Sequence, residues 1–396
     1  MLKSEKSKNV ERLFLRPNVQ RVTISSKDKP FDLSLDTKPK HNLEIVEPKT
    51  FGAGTSLEAQ AFIRTLLLAH LIARHLPQQI DTNFPVWSSE IFEGLYAHYG
   101  YPPPRITKID PQISPGKIEG NGYFPEIENA SASSGGADSA FRITDIIARG
   151  QGVVAIHIQN LNKSPHAEAE ASELQALSWG IPYRKVRLRN SSGNSGYATM
   201  TTRDLLIGGL CAVAATPYRA KRVLIEGPMI KNPKACDYSE FEGAWVLFNR
   251  SLKNAGLEVQ VFAPDQGEIE TIGQLLDIER RTNLKIIPLI QNCFSGVYEL
   301  KNNRGSWESK ARMLSEASPP QWCGSCYKCR RVSLGRIFFK DPRLANVPDE
   351  EKKFFVRDTF RWLDQYPNGA RLASGSFIAH LRLLANSLGI AWGCKF

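Results

Sequence analysis

An α/β fold, built on a parallel sheet with helices on both faces, is predicted by three features of the 396-residue chain. From Phe141 to Thr282, helix-period and strand-like segments alternate without a break. Such alternation is the mark of strands joined by helical crossovers. At its head, Ser134-Gly135-Gly136-Ala137-Asp138-Ser139 stands where a strand would turn into a helix. Hydrophobic residues make up 42% of the chain, which at this length supports a large buried core.

The first 125 residues read as an N-terminal α+β accessory region. Phe14 to Ile24 and Phe31 to Val46 carry short alternating runs, the strand pattern. Ser56 to Leu76 has apolar residues at helical spacing behind a serine cap, and predicts one helix. Pro102-Pro103-Pro104 and the stretch to Pro115-Gly116 read as a connecting loop. No catalytic motif lies here. His70 and His75 are five apart on the predicted helix, a poor spacing for metal ligands, so they are read as core or surface histidines.

Residues 126–290 form the predicted core. The expected order is helix 141–149, strand 153–158, helix 167–179, strand 183–188 and helix 202–216. Strand 222–226, helix 241–255, strand 257–262 and helix 268–282 follow. Ligands of such sheets sit beyond the carboxyl ends of the strands. The 134–139 loop, His157-Ile158-Gln159 and Gly227 all fall at predicted strand ends. Residues 291–342 hold a cysteine motif. In 343–396, a C-terminal helical extension, Phe354 to Leu388 reads as two helices split near Pro367-Asn368-Gly369.

The loop at 134–139 has the chemistry of a phosphate cradle. Its glycines let backbone approach a phosphate with no Cβ in the way. The N–H groups of a following helix, with the dipole behind them, favour an anion. Ser134 and Ser139 add hydroxyls. Asp138 is out of place beside a polyanion unless it binds a cation or holds the loop's shape. The Gly-Lys-Ser/Thr ending of a Walker A loop is absent. The plainer alternative is a Gly/Ser connection with a helix N-cap at Ser134 or Asp138.

Cys323, Cys326 and Cys329 form two overlapping C-x2-C units, and Cys293 supplies a fourth thiol from before a long insertion. Four cysteines with no histidine at ligand spacing suggest a closed, structural zinc site. An iron–sulfur cluster also takes four thiolates, but the proline usual after the last ligand is replaced by Arg330. A disulfide is less favoured, since the polar start Met1-Leu2-Lys3-Ser4 lacks a signal-peptide core. The expected location is cytoplasmic. No run of 18 apolar residues predicts a membrane span. The net charge of +11 points to anionic partners, and Lys328, Arg330, Arg331, Arg336 and Lys340 cluster beside the cysteines as a candidate nucleic-acid surface.

Together these motifs resemble the PP-loop ATP pyrophosphatases of the adenine nucleotide alpha hydrolase-like (HUP) type. Within that group the chain is similar to the 7-cyano-7-deazaguanine synthases, from about Glu126 to about Phe339. The anchors are Ser134–Ser139, the strand Val153–Ile158, His166-Ala167-Glu168, Thr202-Arg203-Asp204, Val223–Gly227, Asn292-Cys293-Phe294 and Cys323-Gly324-Ser325-Cys326 with Cys329. Departures mark a diverged, elongated paralogue. No lysine occurs between Lys253 and Lys285, where the family has one on a helix. Its Asp-x-Arg becomes Asp237-Tyr238-Ser239, and its Tyr-Gly-Gln-x-His run becomes Gln159-Asn160-Leu161.

The resemblance implies adenylation of a carboxylate by ATP with pyrophosphate release. A nitrogen nucleophile, ammonia or an amine, then forms an amide or nitrile on 7-carboxy-7-deazaguanine or a similar 7-deazapurine acid. It implies ATP held by Ser134, Gly135, Gly136, Asp138, Ser139, His157 and Gly227, with Mg2+, and Zn2+ on Cys293, Cys323, Cys326 and Cys329. Arg203 and Asp138 are the expected catalytic residues, Arg203 as the polyphosphate cation. A protein acceptor met through the N-terminal region, and a specialised role such as phage defence, fit the elongated form. A tRNA-modifying enzyme and a non-catalytic nucleotide-binding subunit are the alternatives.

Overall fold

Strand pairing organises the chain. The computed structural model describes residues 21–26, 31–35, 41–46, 48–52, 55–73, 75–84, 86–87, 90–108, 124–159, 167–190, 197–226, 238–240, 242–264, 267–291, 326–365 and 375–391. Two compact units emerge. The first draws on 1–132, 152–164 and 182–265; the second on 133–151, 165–181 and 266–396.

The first unit contains a ten-stranded, mostly parallel sheet. The strands are β1 (Arg21–Ser26), β2 (Asp32–Leu35), β3 (His41–Ile45), β4 (Gln79–Thr82), β5 (Arg105–Lys108), β6 (Asn129–Ala132), β7 (Val153–Gln159), β8 (Tyr183–Asn190), β9 (Arg222–Leu224) and β10 (Gln260–Phe262). Their order is β10-β9-β6-β7-β8-β3-β2-β1-β4-β5. The five strands from β6 to β10 are mutually parallel. β3 pairs antiparallel with β8, Ile45 opposite Leu188, and carries β2 and β1 with it. The N-terminal strands therefore lengthen the same sheet and cover an edge of β8 that would otherwise be open. β5 occupies part of the stretch expected to be a loop after Pro104, pairing parallel with β4. Its short run Arg-Ile-Thr-Lys gives little alternation to read.

Helices α1 (Leu57–Ile72), α2 (Glu90–His98), α5 (Tyr197–Ala215) and α6 (Glu242–Asn254) belong to this unit. α1 opens as its sequence predicts, with the Ser56 hydroxyl accepting from the Ala59 N–H. α1 packs on α5, α5 on the parallel strands, and α2 on α6. Leu205, Leu206, Leu210 and the run Cys211–Ala215 are all buried, so the later turns of α5 are apolar around their circumference, as those of a central helix must be. Gly209 gives α1 room: a Cβ there would meet Leu66 Cδ1 at 2.0 Å. At the sheet's far edge, the Asn249 side chain pairs with both backbone groups of Val261, at 3.0 and 2.8 Å, as a neighbouring strand would.

The second unit contains α3 (Ala137–Ala148), α4 (Ala167–Ser178), α7 (Glu270–Thr282), α8 (Tyr327–Phe338), α9 (Asp349–Gln365) and α10 (Gly375–Ser387). Among the described residues, α9 and α10 are the C-terminal helices. Their apolar faces meet α8 in one core that includes Tyr327, Leu334, Phe355, Phe360, Phe377 and Leu381. α7 packs on both α3 and α8. The α7–α8 crossing is close because glycine faces each neighbour: a Cβ on Gly335 would lie 2.6 Å from Ile272 Cβ, and one on Gly273 would lie 2.9 Å from the Phe339 ring. No helix among the described residues is long and apolar enough to cross a membrane.

Candidate functional site

The chain leaves β6 at Ala132 and enters α3 at Ala137, five residues later. Gly136 is the N-cap, in extended conformation (φ −81°, ψ 174°), and has no side chain of its own to cap the helix. The expected alternative of an N-cap at Ser134 or Asp138 is thus not met; Asp138 is already the second residue of α3. Gly135 adopts φ +75°, a left-handed conformation that glycine tolerates best. Its missing Cβ matters too, since one would lie 2.7 Å from Ala171 Cβ and 3.2 Å from the Ser172 backbone nitrogen.

Hydrogen bonds fix this turn from two sides. The Gly135 carbonyl accepts from Gln175 Nε2 and from the Gln291 backbone N–H, both at 2.8 Å. Gln175 also donates to the Leu289 carbonyl at 2.9 Å, so one α4 amide ties the loop to the segment after α7. Ser172 Oγ lies 2.5 Å from Ser133 Oγ. Inside the loop, Ser139 Oγ donates to the Gly136 carbonyl at 3.0 Å and accepts from the Ser134 N–H at 3.3 Å. Ser134 and Ser139 hydroxyls are 3.4 Å apart. The backbone cradle is therefore held in shape by neighbours that lie far away in sequence.

Asp138 finds its cation within the protein. Arg331 in α8 donates from Nη1 to Asp138 Oδ2 at 2.9 Å and from Nη2 to Oδ1, a bidentate pair. Arg331 Nε donates to the Glu268 carbonyl at 2.9 Å. Burial alone would raise the Asp138 pKa. The charge and hydrogen bonds of Arg331, with the charges of Arg142 and Lys328, outweigh it and hold the carboxyl below its ordinary range. Tyr327, four residues before Arg331, donates its hydroxyl to the Glu268 carboxylate at 2.6 Å. The start of α8 is thereby pinned to the residues ahead of α7.

The basic cluster beside the cysteines turns largely inward. Arg330 pairs with Asp358 at 2.8 Å, donates to Thr359 Oγ1 at 3.0 Å, and lies over the Trp362 ring. Arg336 pairs with Asp341 at 2.7 Å, both fully buried. With Arg331 on Asp138, three of the five residues expected to offer a surface to nucleic acid are buried in ion pairs. Sequence spacing shows the charges but not their partners.

Cys326 is the half-buried N-cap of α8, and Cys329 is buried one turn further on. Thiols at a helix N-terminus favour the thiolate that a metal needs. Cys293 and Cys323 lie outside the described residues, as does Gly227. Among the described residues, no group of three or more His, Cys, Asp and Glu side chains could hold a metal ion.

His157 and Arg203 belong to the first unit, the loop to the second. His157 is buried on β7, and the half-buried Gln159 ends that strand. Arg203 was expected at the start of helix 202–216, but α5 begins at Tyr197 and places it nearly two turns in. Arg203 Nε donates to Asp204 Oδ1 at 2.8 Å. Beside it, His70 Nδ1 lies 3.1 Å from Thr202 Oγ1. Burial, with the nearby Arg203 charge, pushes the His70 imidazole down to about 4, so it is neutral in the folded protein. His70 is a core histidine.

Gln175, Gln291 and Arg331 carry no local signal; each is recognisable only by the loop atom it reaches. Comparison with known proteins adds no identity: no family model matches the chain, and no curated protein matches it.

Proposed function

We propose that this chain is an ATP-dependent C–N ligase of the PP-loop type, similar to the 7-cyano-7-deazaguanine synthases. It adenylates the carboxylate of a 7-deazapurine acid with release of pyrophosphate. Ammonia or an amine then displaces AMP to give an amide; an amide made from ammonia can be adenylated on its oxygen by a second ATP and lose AMP to give the nitrile. The observation that carries this reading is the 133–139 turn: a left-handed Gly135 and a glycine N-cap, with no Cβ at either position, leading directly into α3. Backbone donors in that arrangement suit a polyanion.

The residues have separate tasks in this reading. Ser134, Gly135, Gly136 and Ser139 surround the phosphates, with Asp138 holding the loop. Mg2+ would accompany the triphosphate and spread its charge. Arg203 is the proposed cation for the leaving pyrophosphate, and His157 and Gly227 are the proposed nucleotide contacts. Cys326 and Cys329, one turn apart at the start of α8, suit two of the four thiolates of a structural zinc site completed by Cys293 and Cys323.

The test is direct. Purified protein with ATP, Mg2+ and 7-carboxy-7-deazaguanine should release pyrophosphate and, with ammonium present, yield by mass spectrometry a product in which nitrogen has replaced one carboxyl oxygen (amide) or both (nitrile). Nucleotide binding without pyrophosphate release, with any deazapurine acid tried, would favour a binding subunit. Turnover that requires RNA would favour a tRNA-modifying enzyme.

A further inference from the structure

We propose that Arg331 is a positioning residue of the nucleotide loop, cancelling the charge of Asp138 so that the loop can accept a polyphosphate. The inference rests on the nucleotide-binding reading above and deepens it.

Three observations carry it. Asp138 is the second residue of α3, where its carboxylate would stand beside any phosphate seated on the helix start. An uncompensated carboxylate there would repel that phosphate, in surroundings where water screens little. Both carboxylate oxygens are instead taken by one guanidinium, 193 residues away in sequence, and both side chains are mostly buried. The guanidinium is itself aimed, since its third nitrogen bonds the Glu268 carbonyl and Tyr327 anchors the same turn of α8 to the Glu268 side chain. A lysine could match the charge but not the paired geometry. Arg331 follows Cys329 by two residues on the same helix.

The experiment is nucleotide binding by calorimetry on the full chain, at low and high salt, with AMP, ADP and ATP. The variants are Arg331→Met, Arg331→Lys and Asp138→Asn/Arg331→Met. In Arg331→Met, ATP affinity should fall by about tenfold or more, the loss growing from AMP to ATP and shrinking with salt. Arg331→Lys should recover part of it. The double variant, with no buried charge left unpaired, should return to within about threefold of wild type. If Arg331→Met fails to fold, the double variant and Arg331→Lys still decide the matter. Wild-type ATP affinity in Arg331→Met overturns the inference. So does a double variant that folds yet binds ATP about tenfold or more below wild type, the result expected if the Asp138 carboxylate held Mg2+ instead. A loss equal for AMP and ATP would mean a structural role only and also overturns it. A wild type that binds no adenine nucleotide sinks the nucleotide reading and this inference together; a wild type that binds while Arg331→Met is indifferent sinks this inference alone.

Discussion

Arg331 and Asp138 lie 193 residues apart and meet through two parallel hydrogen bonds, joining the helix that follows the cysteine motif to the helix that follows the glycine loop. Two motifs that look independent in sequence are thus parts of one packed unit. A buried pair of this kind repays its desolvation only when its geometry is good and the other donors are satisfied. Here the third guanidinium nitrogen is satisfied by the Glu268 carbonyl.

The two loop glycines should respond differently to substitution. Gly135→Ala places a side chain at φ +75° and 2.7 Å from Ala171 Cβ, so it should cost about 1–3 kcal/mol of stability and abolish nucleotide binding. Gly136 has an ordinary φ, so Gly136→Val should fold with a loss of about 1 kcal/mol at most while blocking phosphate approach. Urea unfolding and ATP titration of both variants check this. Wild-type ATP affinity in Gly136→Val would show that the phosphate does not sit there.

Zinc should copurify with the chain at one ion per molecule, and Cys326→Ser should lose it. The motivation is the thiol pair at the start of α8. Because metal binding contributes folding energy, the variant should also unfold at lower temperature. Elemental analysis decides. Zinc retained in Cys326→Ser, or the visible absorption of an iron–sulfide cluster, would reject the assignment.

His70 should make the protein acid-sensitive. Its pKa falls from 6.5 in the unfolded chain to about 4 when folded. Between those values the unfolded state binds the extra proton, so stability decreases as pH drops from 6.5 towards 4, by up to ~3 kcal/mol. His70→Gln, which can still reach Thr202, should flatten that slope. Urea midpoints from pH 7 to pH 5 measure it; equal slopes in the two proteins would contradict a buried neutral imidazole.

The α7–α8 crossing should not tolerate a methyl group. Gly335→Ala puts a Cβ 2.6 Å from Ile272 Cβ, an atom next to backbone that cannot swing away. Overpacking should cost about 1–3 kcal/mol, more than alanine's helical preference returns. Ile272→Ala in the same protein should recover part of the loss. If Gly335→Ala is as stable as wild type by denaturant titration, the two helices do not approach closely enough at Gly335 for a methyl group to meet Ile272.

Arg203→Ala should slow pyrophosphate release by about two to three decades if Arg203 stabilises the leaving polyphosphate. Since Arg203 also pairs with the buried Asp204, Arg203→Ala/Asp204→Asn serves as the control for an orphaned carboxylate. Both variants should be equally slow. Full activity in either would place the phosphate cation elsewhere.

Much of this protein could be read before folding. The Ser56 cap, the helix–strand alternation from Phe141 onwards and the glycines before α3 are local signals, carried by periodicity and backbone preference within a few residues. The Arg-Ile-Thr-Lys strand β5 was not legible, because a four-residue edge strand has almost no pattern of its own and is defined by its pairing with β4. Nor could sequence show that β3 would add to β8, that Gln175 and the Gln291 backbone would grip the Gly135 carbonyl, or that Arg331 would neutralise Asp138. Residue type and spacing determine which groups are available; which of them meet is decided only when packing brings distant segments within hydrogen-bond range. The sequence by itself determined the α/β pattern, the strand-to-helix turn at the glycines and the thiol spacing. Only the tertiary structure decided which charge answers Asp138, because ion pairing depends on distance in space and local preference on distance along the chain.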